Sequence, residues 1–262
     1  MARLLVVQHE PDAPVAWLGE WWTALGLELD VVRGDLGEPV ADVLGTHDGL
    51  VVLGGAMGAC DDADAPWLAP TRSLIADAVG RRVPTLGVCL GHQLAAVALG
   101  GRVDRNPSGR TVGLVPVRLT DAGASDPLLS GLHGLVAVHY NDDVIHETPA
   151  GSVLLATLPD GRPQALRFGP AAWGVQFHPE TSPEVFGAWL RWDSPDGLTW
   201  AQEALLGEVM AAREGLRAAW QPLAERFAAL VVAGAEGAEG SLNFLAWSGN
   251  LQDRRTTDPL LS

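Results

Sequence analysis

A cysteine stands between two glycines at the end of an apolar run in this chain. The run Val83–Val88 leads into Gly87-Val88-Cys89-Leu90-Gly91, and the helix-like stretch Gln93–Leu99 follows. This order predicts a strand, a sharp turn at Cys89 and a helix, which together form a nucleophile elbow with sulfur in place of oxygen. The glycines permit a strained turn and leave room for a substrate. Because the dipole and free N–H groups of a helix N-terminus favour the thiolate, the pattern indicates an acyl-transferring cysteine.

The composition favours one substantial α/β domain with room for an appendage. The chain has 262 residues, of which 47% are hydrophobic and 31 are glycine. A net charge of -15 argues against nucleic acid and anionic membranes as partners, since both need a basic surface. Because the chain has only 2 cysteines, we expect no disulfide framework. We expect a reducing, cytoplasmic location. The short N-terminal run Leu4–Gln8 predicts a first strand rather than a signal peptide.

The hydrophobic pattern predicts an open, mostly parallel sheet flanked by helices. Strands are predicted at Leu4–Gln8, Leu29–Val32, Gly49–Leu53, Val83–Val88 and Ala172–Phe177, and helices at Val15–Leu25, Pro66–Val79, Gln93–Leu99 and Pro183–Trp192. Between residues 112 and 177 the pattern predicts shorter strands separated by turns. Functional side chains in such a sheet are expected at the C-terminal ends of the strands.

The character of the chain changes after about Ser194, which predicts a main domain over residues 1–192 and a helical extension with a tail over residues 193–262. Apolar residues recur on roughly one helical face from Trp200 to Val232, and Pro222 is expected to split this stretch into two helices. Ala233–Gly240, rich in Gly, Ala and Glu, is expected to be a hinge before a polar tail. The apolar face either packs on the main domain, which is the favoured interpretation, or forms a docking surface for a partner.

A thiolate nucleophile needs a base, and the base needs a partner that orients it. His178 and Glu180 lie two residues apart at the end of a predicted strand, where residues at this spacing point to the same side. Pro179 between them stiffens the link and disfavours helix at His178. His-Pro-Glu alone has little specificity. About 90 residues after Gly-x-Cys-x-Gly-x-Gln, it is a strong signal.

Three segments of the chain resemble the class I (Cys-His-Glu) glutamine amidotransferases: Gly54-Gly55-Ala56-Met57, Gly87–Gln93 and Val175–Glu180. The resemblance covers roughly residues 2–192 and points to stand-alone proteins similar to the glutaminase part of GMP synthase. It implies a flavodoxin-like fold and hydrolysis of glutamine to glutamate and ammonia through a γ-glutamyl thioester. The expected mechanism is covalent, with neither a metal nor an organic cofactor.

The same resemblance implies a role for individual residues. Cys89 would attack the carboxamide of glutamine, with His178 as general base and acid and Glu180 as its orienting partner. The oxyanion hole maps onto the backbone N–H groups of Gly55 and Leu90, and a Gly-rich turn suits such a donor. Gln93 and Gly54 match positions that help to seat the substrate.

Two features depart from the family pattern. Members often carry a histidine followed two residues later by aspartate before the His-Pro-Glu motif. Here Tyr140 holds the histidine position while Asp142 is kept, and both are expected near the substrate. The loop after Gly58 is also acidic, with Asp61, Asp62 and Asp64. These carboxylates either favour an amine-bearing substrate or are only the solvated residues of a turn, and the second interpretation is preferred.

Several residues are interpreted as structural. His92 is expected to pack rather than to transfer protons, and Cys60 has no base pattern of its own. The other histidines show no ligand spacing, so no metal site is expected at His9, His47, His133 or His146.

Three functions remain open from the sequence. The leading one is a glutaminase that supplies ammonia to a separate acceptor enzyme, since about 70 residues beyond the core are too few for a synthetase domain. The second is a γ-glutamyl hydrolase acting on γ-glutamyl amines or peptides with the same three residues. The third is an inactive protein with a regulatory or binding role, against which the intact Cys89, His178 and Glu180 argue. A homodimer is compatible with each.

Overall fold

A computed structural model describes residues 1–132 and 135–253 of the chain. The strands are β1 (Arg3–Gln8), β2 (Glu28–Arg33), β3 (Gly49–Val52), β4 (Thr85–Val88), β5 (Arg102–Arg105), β6 (Thr111–Pro116), β7 (Arg118–Leu119), β8 (Val136–Asn141), β9 (Asp143–Glu147), β10 (Val153–Thr157), β11 (Pro163–Gly169) and β12 (Ala172–Val175). The helices are α1 (Ala16–Ala24), α2 (Leu68–Gly80), α3 (Leu90–Ala98), α4 (Asp121–Ala124), α5 (Pro183–Asp193), α6 (Trp200–Ala211) and α7 (Arg213–Asp253). His133 and the end of the predicted tail, residues 254–262, lie outside the described residues.

The central sheet explains why distant segments of the chain meet. Its strand order is β2-β1-β3-β4-β12-β11-β10-β7. The first five strands in this order run parallel, and β11, β10 and β7 continue the sheet in antiparallel pairing. Because β3, β4 and β12 are neighbours and parallel, their C-terminal ends lie at one edge. The glycine loop, Cys89 and the His178 segment follow these three strands directly. The predicted open, mostly parallel sheet is confirmed.

Helices cover both faces of this sheet. Successive side chains of a strand point to opposite faces, so strands that are apolar throughout need a covering layer on each side. In β1, Leu4 and Val6 belong to one apolar cluster, with α1, α5 and α7, whereas Leu5 and Val7 belong to the other, with α2 and α3. Two smaller antiparallel pairs, β5–β9 and β6–β8, lie outside the main sheet. The backbone N–H of His178 donates to Val138 O at 2.9 Å, which fixes β8 beside the end of β12.

The C-terminal helices differ from the sequence expectation in two places. The break lies at Ala212, between α6 and α7, and Pro222 is inside α7 rather than at a helix boundary. The segment 233–240 continues the same helix, so the expected hinge is wrong. Tertiary packing accounts for the first difference, because Leu216 and Phe227, on either side of Pro222, are buried in one apolar cluster. That packing offsets the backbone hydrogen bond that proline cannot donate.

The apolar face of α7 is part of the core. Trp220, Leu223 and Phe227 are buried against residues of the main sheet and α1. The indole Nε1 of Trp22 donates to Ala224 O at 3.0 Å. The apolar face therefore packs on the main domain, as the favoured interpretation expected. Within the part of the chain that the structure describes, no helix is both long and apolar enough to cross a membrane.

Candidate active site

Cys89 occupies a strained turn between β4 and α3. Its φ is 50° and its ψ is -102°, a conformation that L residues rarely adopt. Its N–H donates to Val175 O at 2.8 Å, which ties the turn to β12. A Cβ added at Gly91 would lie 2.0 Å from Val52 O, and one at Gly87 would lie 2.5 Å from Gly91 O. The flanking glycines are therefore required by close backbone approach, and the strand, turn and helix lie as the sequence predicts.

His178 and Glu180 form a buried pair beside this turn. Nδ1 of His178 lies 2.7 Å from Oε1 of Glu180, and each side chain is 3% exposed. The hydroxyl of Thr181 donates to the same carboxylate oxygen at 3.3 Å. Because Nδ1–H is held by the carboxylate, Nε2 is the nitrogen left for chemistry. Nε2 has no hydrogen-bond partner among the described residues.

The charge of this pair sets the protonation of His178. Burial by itself lowers the pKa of His178, but the negative charges of Glu180 and Cys89 outweigh it and raise the pKa from 6.5 to about 10. The ring of Trp189 lies 4.6 Å, centroid to centroid, from the His178 ring and covers it on one side. His178 is thus held in one orientation, with its positive form favoured.

The glycine loop after β3 opens the space between these groups. A Cβ at Gly54 would lie 3.1 Å from Cε1 of His178 and 3.6 Å from Cβ of Cys89, so any larger residue would stand between them. The backbone N–H groups of Gly55 and Leu90 donate no hydrogen bond to any described residue. Two unpaired N–H groups beside a thiol are suitable donors for a developing oxyanion.

Two glutamine side chains link the thiol to the neighbouring strands. Nε2 of Gln176 donates to Sγ of Cys89 at 3.4 Å. Nε2 of Gln93 donates to Oε1 of Gln176 and to Asp143 O, both at 3.1 Å. Gln93, predicted to help seat the substrate, lines the cavity, and its amide is already engaged by the protein. No role is predictable for Gln176 from a motif, although its position two residues before His178 places both side chains on the same side of an extended segment.

These groups open into one cavity of about 720 Å³. Cys89, Gly55, Gln93, His178, Tyr140 and Asp142 line it, and so do Glu10, Arg105, Arg110 and Trp192, which the sequence analysis did not select. Gly54 lies behind the lining, against His178 and Cys89. Glu10 comes from the loop after β1, Arg105 from the end of β5, Arg110 from the loop after β5 and Trp192 from α5. The sequence carries no motif that would identify them.

Tyr140 and Asp142 are held by an arginine at the rim of the cavity. Arg110 contacts both carboxylate oxygens of Asp142, at 3.2 and 2.7 Å. It also pairs with Asp193 at the end of α5, and its guanidinium lies 5.1 Å from the centre of the Tyr140 ring. The hydrogen bonds from Arg110 lower the pKa of Asp142. Asp142 therefore reaches the cavity as half of an ion pair, which leaves less of its charge for a ligand.

Residues interpreted as structural lie away from the reacting groups or inside the core. His92 is fully buried against Phe168, and burial lowers its pKa to about 3. His139 is buried and contacts Oε1 of Gln164 at 2.8 Å, so it does not replace the histidine expected at position 140. In the acidic loop, Asp62 is paired with Arg72 at 2.8 Å. No cluster of three or more potential metal ligands occurs in residues 1–132 and 135–253.

Comparison with known proteins decides the family. Residues 18–191 match the family described as glutamine amidotransferase class-I. The chain belongs to the class I glutamine amidotransferases. It is 34% identical to a subunit of the glutamine-hydrolyzing GMP synthase of Sulfolobus acidocaldarius over 161 residues, 60% of this chain and 78% of the relative. It is also 34% identical to the pyocyanine-specific anthranilate synthase component 2 of Pseudomonas aeruginosa over 208 residues, 77% of this chain and 92% of the relative.

Solved structures agree with the fold. A glutamine amidotransferase from Thermotoga maritima superposes with a TM-score of 0.77 at 23% identity, over 87% of this chain and 98% of that one. A glutamine amidotransferase from Methylobacillus flagellatus superposes with a TM-score of 0.73 at 25% identity, over 89% and 95% of the two chains. The resemblance inferred from three short segments is confirmed, and so is the α/β fold that it implied.

Proposed function

We propose that this protein hydrolyses the side-chain amide of glutamine to glutamate and ammonia through a γ-glutamyl thioester on Cys89. The observation that carries the proposal is the strained elbow, which holds Cys89 beside His178 in a cavity that Gly55 also lines. The backbone N–H groups of Gly55 and of Leu90, the residue after Cys89, donate to no described residue. Membership of the amidotransferase family supports the reaction class.

The first half of the reaction forms the thioester. The Cys89 sulfur, as thiolate, attacks the carboxamide carbon, and the carbonyl oxygen takes the negative charge. The N–H groups of Gly55 and Leu90 stabilise that charge, a contribution of about 3 kcal/mol per donor. His178 then gives its Nε2 proton to the leaving nitrogen, the C–N bond breaks, and ammonia departs. Glu180 keeps the imidazole in the required orientation throughout.

The second half consumes one water. Neutral His178 takes a proton from the water as its oxygen attacks the thioester carbon, and the same N–H pair stabilises the second oxyanion. The C–S bond breaks, sulfur leaves as thiolate, and glutamate is released. Each residue returns to its starting state.

We infer that a separate enzyme consumes the ammonia. One relative named above is a subunit of GMP synthase and the other is a component of anthranilate synthase, which supports an acceptor on another chain. We assign the chemistry to residues 1–192 and a supporting role to residues 193–262, whose described helix α7 packs on the main sheet and α1. Action in the cytoplasm fits the free cysteines and the acidic composition.

A γ-glutamyl hydrolase is the second candidate. The cavity of about 720 Å³ extends to Trp192 and Arg105 and exceeds what a glutamine side chain alone occupies. A γ-glutamyl amine or peptide would use the same nucleophile and differ only in its leaving group. Tyr140 at the usual histidine position also favours this alternative.

The test is ammonia or amine release by the purified protein, with glutamine and a panel of γ-glutamyl amines in parallel. The Cys89→Ala protein is the control, and circular dichroism verifies that it folds. Turnover of glutamine that disappears in Cys89→Ala supports the amidotransferase, whereas turnover of γ-glutamyl amines alone supports the hydrolase. Equal activity in Cys89→Ala would remove the basis of both.

A further inference from the structure

The cavity is lined by five carboxylates, and two of them are paired with arginines. Asp142 is paired with Arg110 at 2.7 Å, and Asp143 with Arg105 at 3.3 Å. The carboxylate of Asp61 accepts the N–H of Gly58 at 2.7 Å within its own loop. Asp61 and Asp12, which also lines the cavity, are exposed to solvent. Glu10 differs from these four carboxylates, because it is half-buried and has no ion pair among the described residues.

Glu10 follows β1 and is half-buried in the wall of the cavity. Its Oε2 accepts the N–H of Ala56 at 3.2 Å, and its carbonyl oxygen accepts Nε2 of Gln8 at 2.8 Å, which fixes the backbone. Among the described residues, no Lys, Arg or His forms a salt bridge with its carboxylate. Burial, with Asp12 and Asp35 nearby, raises the pKa of Glu10 and outweighs the Ala56 hydrogen bond and the charge of His178, which lower it. A positively charged ligand beside the carboxylate would stabilise its ionised form.

The position of Glu10 relates it to the reacting carbonyl. Ala56, which donates to Glu10, is the residue after Gly55, whose N–H is assigned to the oxyanion. Consecutive backbone N–H groups would thus hold the Glu10 carboxylate and the substrate carbonyl a few bond lengths apart. In glutamine, the amide carbonyl and the α-ammonium are separated by a chain of this length.

We propose that the Glu10 carboxylate binds an ammonium group of the substrate in the active-site cavity. The inference rests on the proposed function, since it concerns recognition at the same site. The ammonium comes either from the α-amino group of the γ-glutamyl unit or from a distal amine of a γ-glutamyl diamine. An ammonium there would neutralise a half-buried carboxylate that Arg105 and Arg110, which pair with Asp143 and Asp142, leave without an ion pair.

Two substrate pairs separate these sources. L-glutamine and glutaramate share the amide but differ in the α-ammonium, and a γ-glutamyl diamine and a γ-glutamyl monoamine differ in the distal ammonium. Each is assayed with the wild type, with Glu10→Gln and with Glu203→Gln, the same change at an exposed residue of α6 that does not line the cavity. Glu10→Gln should lower kcat/KM for the ammonium-bearing member about tenfold or more, chiefly through KM. The partner without that ammonium should change little.

Cys89 labelling extends the test to a protein that turns over slowly. 6-Diazo-5-oxo-L-norleucine and its deamino counterpart are compared by intact mass, and Glu10→Gln should slow labelling by the first only.

The ratios of kcat/KM within each substrate pair distinguish the outcomes. If Glu10→Gln lowers the ratio of glutamine to glutaramate, the α-ammonium is the bound group. If it lowers the ratio of diamine to monoamine, the distal ammonium is the bound group. Unchanged ratios, or an equal effect of Glu203→Gln, overturn the inference while the proposed function stands. A folded wild type that is neither labelled nor active on any substrate overturns both.

Discussion

The charge on His178 depends on one buried carboxylate. Glu180→Gln removes the negative charge that raises the His178 pKa, and burial then favours the neutral ring. We expect an NMR titration to show His178 protonated at pH 8 in the wild type and neutral in Glu180→Gln. The loss of kcat/KM should be about a hundredfold smaller than in Cys89→Ala, because an orienting group contributes less than the nucleophile. Glu184→Gln, at an exposed site nearby, is the control, and an unaltered His178 titration in Glu180→Gln would contradict the assignment.

Gln176 is the one side chain that donates a hydrogen bond to the Cys89 sulfur among the described residues. Gln176→Leu keeps a side chain of similar volume and removes that donor. Because a hydrogen bond to a charged group contributes about 1.5–3 kcal/mol, alkylation of Cys89 by iodoacetamide should slow about tenfold or more. Gln164→Leu, on the neighbouring strand β11, is the control for strand packing. An unchanged alkylation rate in Gln176→Leu would show that the contact does not stabilise the sulfur anion.

At the scale of elements, α7 acts as a layer of the core rather than as an appendage. Phe227 is fully buried and its ring lies 5.5 Å, centroid to centroid, from Trp22 of α1. Phe227→Ala should lower the free energy of unfolding by about 3–5 kcal/mol, measured by urea denaturation. Glu225→Ala, on the exposed face of the same helix, should change it by less than about 0.5 kcal/mol. Similar effects of the two substitutions would mean that α7 is not stably docked.

An element is predictable from the sequence when its local residue preferences and its packing in the folded protein favour the same conformation. The elbow is an example, because the glycines that permit its turn are also the positions where Val52 O and Gly91 O approach most closely. Pro222 shows the opposite case. Proline inside a helix normally interrupts it. Here the apolar side chains on both sides of Pro222 are buried in one cluster, and α7 stays continuous.

The residues of the candidate site also include predictable and unpredictable ones. Cys89, His178 and Glu180 are predictable, because they follow parallel neighbouring strands whose C-terminal ends lie at one edge of the sheet. Glu10, Arg110 and Gln176 are not, because their roles depend on segments that converge only in the folded molecule. The ion pair of Asp142 with Arg110 is likewise invisible to the sequence, although it alters what Asp142 offers a ligand.

At the scale of the whole molecule, buried histidines govern the response to acid. Burial lowers the pKa of His9 and of His139 to about 4 and that of His92 to about 3. In the unfolded chain each titrates near pH 6.5. Between these values the unfolded state binds protons that the folded state does not, so stability present above pH 6.5 is lost as pH falls. His178 adds no such loss in this window, because its raised pKa leaves it protonated in the folded state.

The free energy of unfolding should therefore fall steadily from pH 6.5 to pH 5, by up to about 1.4 kcal/mol per pH unit for each buried histidine. Urea denaturation at half-unit pH intervals measures the slope. His92→Leu removes one titrating group whose ring nitrogens have no partner among residues 1–132 and 135–253, so it should reduce that slope by about one proton's contribution. His146→Gln, at an exposed position, should leave the slope unchanged. A slope in His92→Leu equal to that of the wild type would mean that His92 is charged or solvated in the folded protein, and the acid response would then belong to other groups.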